Sequence, residues 1–481
     1  MITKLVVALA LFALMGFRAE AQDTELQRIA DALDVSTTKT FQFTATGTMY
    51  NLGQNTNPAG PWPRFFVKSF VRVYDFTAGS MRDDITRMTA ETPTTGPEQR
   101  VLTSVSGDHA WNGQDKDTAP RLFEAPQRAH EIVISPHGLL RAAFASNATV
   151  TKKTIDGRPM TVISFTYQGK HKLVAYANDQ NALERVESSY GHPIVGDMKV
   201  LTYFGPYRDF AGVKFPTSII QYQDGLATLN LTVTAVRANP PVDIEAPAHV
   251  RNEPVPVKSE KVVDGVWYIT GVNNNSVLIE MKDYLIVVEA PHGEQRSLAV
   301  IGEVKKLVPN KPIKYLVNTH HHFDHASGVR TYAAEGVTIV THEINRPYFE
   351  SAASNSWTLA PDRLAKSKKK PVFQTMGDNM VLTDGTRSVE LYQIVANPHH
   401  DGIIMAYLRK EKLLVEADVY TPLAPGAEPP KVPNPQAVNL EANVRRLNID
   451  VDRIISIHGR VVPYSELLAT IGKKPAPAKK E

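Results

Sequence analysis

The sequence predicts a two-domain protein, with a mainly β N-terminal domain and a C-terminal domain in which strands and helices alternate. Three observations carry this. At 481 residues the chain is too long for one core. Between Arg237 and Lys261 it carries Pro240, Pro241, Pro247, Pro254 and Pro256 among polar residues, which neither a helix nor a central strand tolerates. The hydrophobic period also changes across that stretch, from two before it to a mixture of strand and helix periods after it.

Before the linker, an amphipathic helix is expected near Thr24–Leu33. Strands follow, in which Ile163, Phe165 and Tyr167 alternate with Ser164 and Thr166, and Leu229, Leu231, Val233 and Ala235 alternate with Asn230, Thr232 and Thr234. Phe65 to Phe76 is apolar on both faces, as a central or ligand-lining strand would be. Gly169, Gly205, Gly212 and Gly225 punctuate the strands as turn residues. The pattern suggests a curved antiparallel sheet or half-barrel, by analogy with periplasmic lipoprotein carriers. His109, His130, His137, His171 and His192 are scattered singly and form no catalytic cluster in the sequence.

After the linker, strands are expected at Val263–Thr270, Ser276–Glu280 and Tyr284–Glu289. Leu298, Ile301, Val304 and Leu307 then recur at helical spacing. A short strand, Ile313–Asn318, leads into Thr319-His320-His321-His322-Phe323-Asp324-His325, and a helix is expected over Ala326–Glu335. Strand pairs follow at Met380–Ile394 and Ile403–Ala417, turning at Asp384-Gly385 and at Arg409–Lys412. A helix near Pro435–Leu447 precedes the strand that ends at His458.

The run His-x-His-x-Asp-His at 320–325 concentrates imidazoles and a carboxylate, the ligands that zinc accepts, on a strand-to-helix loop. Three further candidates stand at strand ends downstream: His399 in Pro398-His399-His400-Asp401-Gly402, Asp418 after Lys412–Ala417, and His458 before Gly459. Together they resemble the signature of the metallo-β-lactamase fold superfamily over roughly Val257 to Gly472. The resemblance implies an αβ/βα sandwich with metals at one edge between two sheets. It implies that His320, His322 and His399 hold one metal and that Asp324, His325 and His458 hold a second, with Asp418 bridging. Two zinc ions are the expected cofactor, with manganese or iron as alternatives.

The implied activity is hydrolysis of an ester, lactone or amide by metal-bound hydroxide, with Asp324 orienting the hydroxide and moving its proton. The oxygen bridge at Asp418, where some lactamases have cysteine, resembles glyoxalase II and the lactonases. His321 alternates away from its ligand neighbours and is expected to pack or to support them. Counting back from the strand at Ile403 favours His399 over His400 as the ligand. His292 is a candidate substrate contact, with loop packing as the plainer reading. Glu289 stands where many members have a supporting Asp. Val419-Tyr420-Thr421-Pro422, directly after Asp418, offers no lysine to hold a drug carboxylate, and Tyr420 falls one residue short of the lactonase tyrosine. The run Lys366–Lys370 reads as a solvated loop, and Pro422–Pro433 as a rim of the pocket. Two other classes remain alternatives: an iron-dependent oxidative enzyme of the same superfamily, and a non-catalytic ligand carrier.

The near-balance of 53 Lys+Arg against 50 Asp+Glu gives a nucleic acid no basic face to bind, so a small-molecule substrate is expected. The absence of cysteine excludes a disulfide framework and a thiol nucleophile. Lys4, the apolar run Leu5–Phe17 and Ala19-Glu20-Ala21 read as a secretory signal peptide over 1–21, which implies a periplasmic or secreted protein. The apolar run is too short for a stable membrane span. The expected divisions are therefore a signal peptide (1–21), a β domain (22–240), a linker (241–261), a metallo-β-lactamase-like domain (262–472) and a disordered tail (473–481).

Overall fold

The computed structural model describes residues 24–90, 98–114, 118–251, 257–271 and 274–474. The expected signal peptide and all of the expected tail but Lys473 and Lys474 lie outside them. The chain forms two compact units. The first holds the described residues through Asn51, together with Arg64–His192 and Asp197–Arg251. The second holds Leu52–Pro63, Pro193–Gly196 and the described residues after Asn252. Two short segments that precede the Pro-rich stretch thus pack with the C-terminal unit.

The first unit is built on one 13-stranded antiparallel sheet, open at its ends, with Ala119–Pro120 and Thr149–Ile155 as the edge strands. Residues 24–31 are helical, as expected. The helix Ala125–Ile134 touches both Gln99–Ser106 and Leu183–His192, which lie seven places apart in the strand order. In a flat sheet those strands would be about 34 Å apart, at about 4.8 Å per neighbour. One helix meets both only because the sheet curls around it, and this is the curved half-barrel that the strand pattern suggested. The alternation in Leu226–Ala238 buries Leu229, Leu231 and Val233, but Ala235 is exposed. The pairing explains the difference: Ala45 faces Val233 while Thr44 faces Ala235, so a bulge at Thr234 flips the phase of the strand.

Three of the scattered histidines are buried in this unit. His137 bonds to the carbonyl of Leu33 at 3.0 Å and His130 to Ser188 Oγ at 2.9 Å. Burial pushes the imidazoles of His130 and His192 down to about 3 and that of His137 down to about 4. In the unfolded chain each takes up a proton near pH ~6.5. Their contribution to stability is therefore complete above that pH and is lost as the pH falls from it toward 4, on the order of 1 kcal/mol per pH unit per imidazole. Urea titrations over this window should show the loss, and His130→Gln should make it shallower. An identical pH slope in that variant would contradict the burial argument.

The second unit contains a 7-stranded and a 6-stranded sheet. Between them lies a core to which Val277, Ile279, Ile286 and Val288 contribute from one sheet and Leu391, Ile404, Leu413 and Val415 from the other. The intervening residues point the opposite way. Leu278 and Val287 pack under the helices Gly293–Leu307 and Val329–Glu335, and Met405 and Leu414 pack under Pro435–Arg446. Strands buried on both faces read as continuous apolar runs. The layers are helix, sheet, sheet, helix, the αβ/βα sandwich that the sequence implied.

Several boundaries differ from expectation. The strand expected over Val263–Thr270 is a hairpin, Lys258–Val263 and Val266–Thr270, turning at Asp264-Gly265 with Gly265 at φ +73°. Regular structure therefore begins inside the stretch assigned to the linker. The helix expected over Ala326–Glu335 is two helices, Phe323–Ala326 and Val329–Glu335. At the break, the amide of Gly328 donates to the carbonyl of Ala290 at 2.8 Å, and a Cβ on Gly328 would meet Ser297 Oγ at 1.9 Å. No helix among the described residues is long and apolar enough to cross a membrane.

Candidate metal centre

Leu285–Val288 and Ile313–Val317 run parallel, as do Leu413–Glu416 and Arg453–Ser456. Each of these strands ends just before a residue of interest: Glu289, the 319–325 run, Asp418 and His458. The carboxyl ends of parallel strands gather loops at one edge of a sandwich. All seven candidate ligands come together there, in two groups whose ligand atoms lie within 4.8 Å of one another. His320, His322, His399 and Asp418 form the first group, and Asp324, His325, Asp418 and His458 the second.

Asp418 is the hub. Its Oδ2 lies 3.1 Å from His320 Nε2, 3.0 Å from His325 Nε2 and 2.9 Å from His399 Nε2, and its Oδ1 lies 2.6 Å from His458 Nε2. Burial would raise the carboxyl's pKa, but the surrounding imidazoles, His325 first, hold it well below the usual range. Burial and the neighbouring imidazoles keep His320 and His322 well below the ordinary histidine value, hence neutral and able to donate lone pairs. His325 shifts the other way. Burial opposes its protonation, but Asp418, Asp324 and Glu289 together raise it well above the ordinary value. A cation at Nε2 would take the place of the proton held there.

A metal fits this donor set. His322 Nδ1 is buried and makes no hydrogen bond, and His320 Nε2 and His399 Nε2 face the Asp418 carboxylate at 3.1 and 2.9 Å without a well-directed one, whereas buried polar atoms are ordinarily satisfied. The opposite ring nitrogens fix the tautomers of His325 and His322. Glu289 Oε2 accepts a hydrogen bond from His325 Nδ1, and Glu289 Oε1 accepts from the Thr319 amide at 2.7 Å. His322 Nε2 donates to the carbonyl of Asn55 at 3.0 Å, which leaves Nδ1 bare toward Asp418 and its neighbours. Glu289 and Asp418 are both held at positive φ, +72° and +62°, on these loops. Such strain is commonly retained at functional sites.

His400 is not in either group, and neither is His321. His400 Nδ1 accepts from the Gly402 amide at 2.9 Å, so its Nε2 donates to His321 Nδ1 at 2.7 Å. His321 Nε2 then donates to Asn55 Oδ1 at 3.0 Å. Burial pushes His321 down to about 3, in keeping with a neutral ring that donates once and accepts once. His292 also lies outside both groups, at φ +58° before the helix Gly293–Leu307. The Tyr420 ring packs in the core beneath the second sheet, with its hydroxyl 3.3 Å from Thr470 Oγ1. Lys368–Lys370 are exposed.

Sequence reasoning missed three residues that touch the ligands. Asn274 Nδ2 lies 3.3 Å from both Asp324 Oδ2 and His458 Nε2. Gln54 Nε2 donates to Asp324 Oδ1 at 2.8 Å, and Asn55 holds His322 and His321. Asn274 sits in the polar run Asn273-Asn274-Asn275 ahead of a strand, a signal of a specialised loop. Gln54 and Asn55 carry no comparable signal.

Residues 269–420 match the family model of the metallo-beta-lactamase superfamily. The match lies within the C-terminal domain. Solved structures similar to it include a metallo-beta-lactamase from Pontibacter korlensis, at 18% identity and TM-score 0.35, covering 45% of this chain and 98% of that one. A metallo-beta-lactamase from Hirschia baltica matches at 18% identity and TM-score 0.35, over 46% of this chain and 100% of its own. A rubredoxin oxygen:oxidoreductase from Desulfovibrio gigas matches at 15% identity and TM-score 0.35, over 45% of this chain and 61% of its own. No curated protein matches the sequence.

Proposed function

We propose that the chain is an exported dinuclear metal-dependent hydrolase that cleaves an ester, lactone or amide in a small molecule. The observation that supports this best is that one carboxylate, Asp418, belongs to both ligand groups. Shared carboxylates hold two cations a few ångströms apart, the arrangement used to attack and polarise one bond. The all-nitrogen-and-oxygen donor set suits zinc. Metals bound there would supply Lewis acidity and a water acidified to near neutrality.

The protein's own groups do the rest. Asp324 Oδ1 is held by Gln54, and its Oδ2 faces His325 Nε2 at 3.6 Å and His458 Nε2 at 3.9 Å. A carboxylate so placed orients a water at the edge of the second group and passes its proton to a leaving group. Glu289 fixes His325, and Asn274 steadies the pair Asp324 and His458. The leader-like run Leu5–Phe17 ahead of Ala19-Glu20-Ala21 supports export.

Elemental mass spectrometry of the purified protein tests this reading. Two zinc ions per chain are expected, together with hydrolysis of lactone, ester or β-lactam substrates that chelation abolishes and zinc restores. A single redox-active iron would favour the oxidative reading, and failure to retain any metal after zinc incubation would favour the carrier.

A further inference from the structure

Between the strands Thr40–Tyr50 and Arg64–Asp75 lies the connection Leu52–Pro63, which packs in the second unit. Five consecutive residues of it bond to the two loops that carry His320–His325 and His399. The Gly53 carbonyl accepts from the Phe323 amide at 3.3 Å, and Gln54 donates to Asp324. The Asn55 carbonyl accepts from His322, and its side-chain oxygen accepts from His321. The Thr56 carbonyl accepts from the Asp401 amide at 2.9 Å, and Asn57 Nδ2 donates to Asp401 Oδ2 at 2.9 Å. A solvated turn that touched the site by chance would not use every residue in succession.

The fit is close as well. Gly53 sits at φ +66°, and a Cβ there would lie 2.3 Å from the Phe323 ring, so only glycine allows the approach. Asn55 is 4% exposed and fully used: its Nδ2 donates to the Gly60 carbonyl at 2.9 Å, which fixes the amide's orientation and leaves Oδ1 for His321. The direction of every bond from the Gly402 amide through His400 and His321 to Asn55 is thereby set.

We infer that Leu52–Pro63 is a strap that completes the metal centre, in which Asn55 is the positioning residue for His322 and Gln54 the positioning residue for Asp324. The inference rests on the metal-centre reading above and extends it. With the Asn55 carbonyl in place, His322 presents a bare Nδ1 to the cation. Without it, the ring is free to rotate or to carry its proton on the ligand nitrogen. Removing partners that orient a ligand ordinarily lowers metal affinity by about 10–100-fold.

The hairpin register supplies a clean variant. Tyr50 and Arg64 are directly paired, so replacing Leu52–Pro63 by one glycine leaves a two-residue Asn51-Gly turn that closes the hairpin. In the full-length protein, this excision and the point variants Gly53→Ala and Asn55→Ala are compared with wild type and with His320→Ala. The readouts are zinc affinity by competition with a chelator, and the visible spectrum of the cobalt-loaded protein. The expected result is a fall in affinity of at least about tenfold in the strap variants. The cobalt bands should change, and the far-ultraviolet circular dichroism should stay unchanged. Wild-type affinity and spectrum in the strap variants, beside metal loss in His320→Ala, would overturn the strap and leave the metal centre standing. Unchanged metal binding in His320→Ala as well would overturn both. If the excised chain fails to fold, the two point variants decide the matter alone.

Discussion

Asp418→Asn should strip at least one metal from the protein and lower turnover by about a thousandfold or more, some 4 kcal/mol of transition-state stabilisation. Asn keeps the size of the side chain and tolerates the left-handed backbone that residue 418 adopts, so the loop should hold its shape. What changes is charge and donor chemistry. The carboxylate lies within hydrogen-bonding distance of four of the imidazoles, and both ligand groups share it. An amide offers one oxygen in place of two, and its NH₂ would point at a cation or at an imidazole lone pair. Metal content per chain and steady-state turnover on the best substrate measure the effect. Two retained metals with turnover within tenfold of wild type would sink the bridging assignment.

Glu289→Ala should be the most destabilising substitution near the site, by about 3–5 kcal/mol. The side chain is fully buried and accepts two hydrogen bonds, from the Thr319 amide and from His325. Alanine would leave both donors unpaired in the interior and would remove the bonds that hold residue 289 at φ +72°. Because His325 would also lose the partner that fixes its tautomer, metal affinity should fall together with stability. Glu289→Gln, which keeps one acceptor, should fall between the two. Urea denaturation of the metal-free protein isolates the structural part. A loss below about 1 kcal/mol there would show that the loop finds other partners.

What could be read in advance followed the range of the interaction. Strands buried on both faces, such as Ser276–Glu280, declare themselves in their own residues. So do ligands packed into 320–325, because metal chemistry leaves few alternatives for so many imidazoles. His399, Asp418 and His458 are far apart in sequence, but each ends a legible strand. Alternation separates His321 from the ligands and counting back from the strand at Ile403 separates His400, although nothing local foretells their pairing with each other. The strap was invisible because Gly53, Pro58, Gly60, Pro61 and Pro63 make it look like any hairpin loop, and nothing local distinguishes Asn55 from a solvated asparagine. The bulge at Thr234 and the turn at Asp264-Gly265 were misread for a related reason: strand phase and strand ends are set by the partner strand.

The strap also fixes an order of events. Asn55 meets residues 266 and 267 positions later in the chain, and Asn57 meets Asp401, 344 positions later. A ribosome releases the strap long before its partners exist, so the first sheet can complete the hairpin that bears it while its targets are still unmade. The centre closes only after the chain beyond residue 401 has emerged and folded, when a prepared loop meets a newly formed pair. Closure over so long a span is slow compared with forming the local His320–His325 turn. A cation arriving early therefore meets a partial ligand set with His322 unfixed, and tight binding belongs to the finished protein.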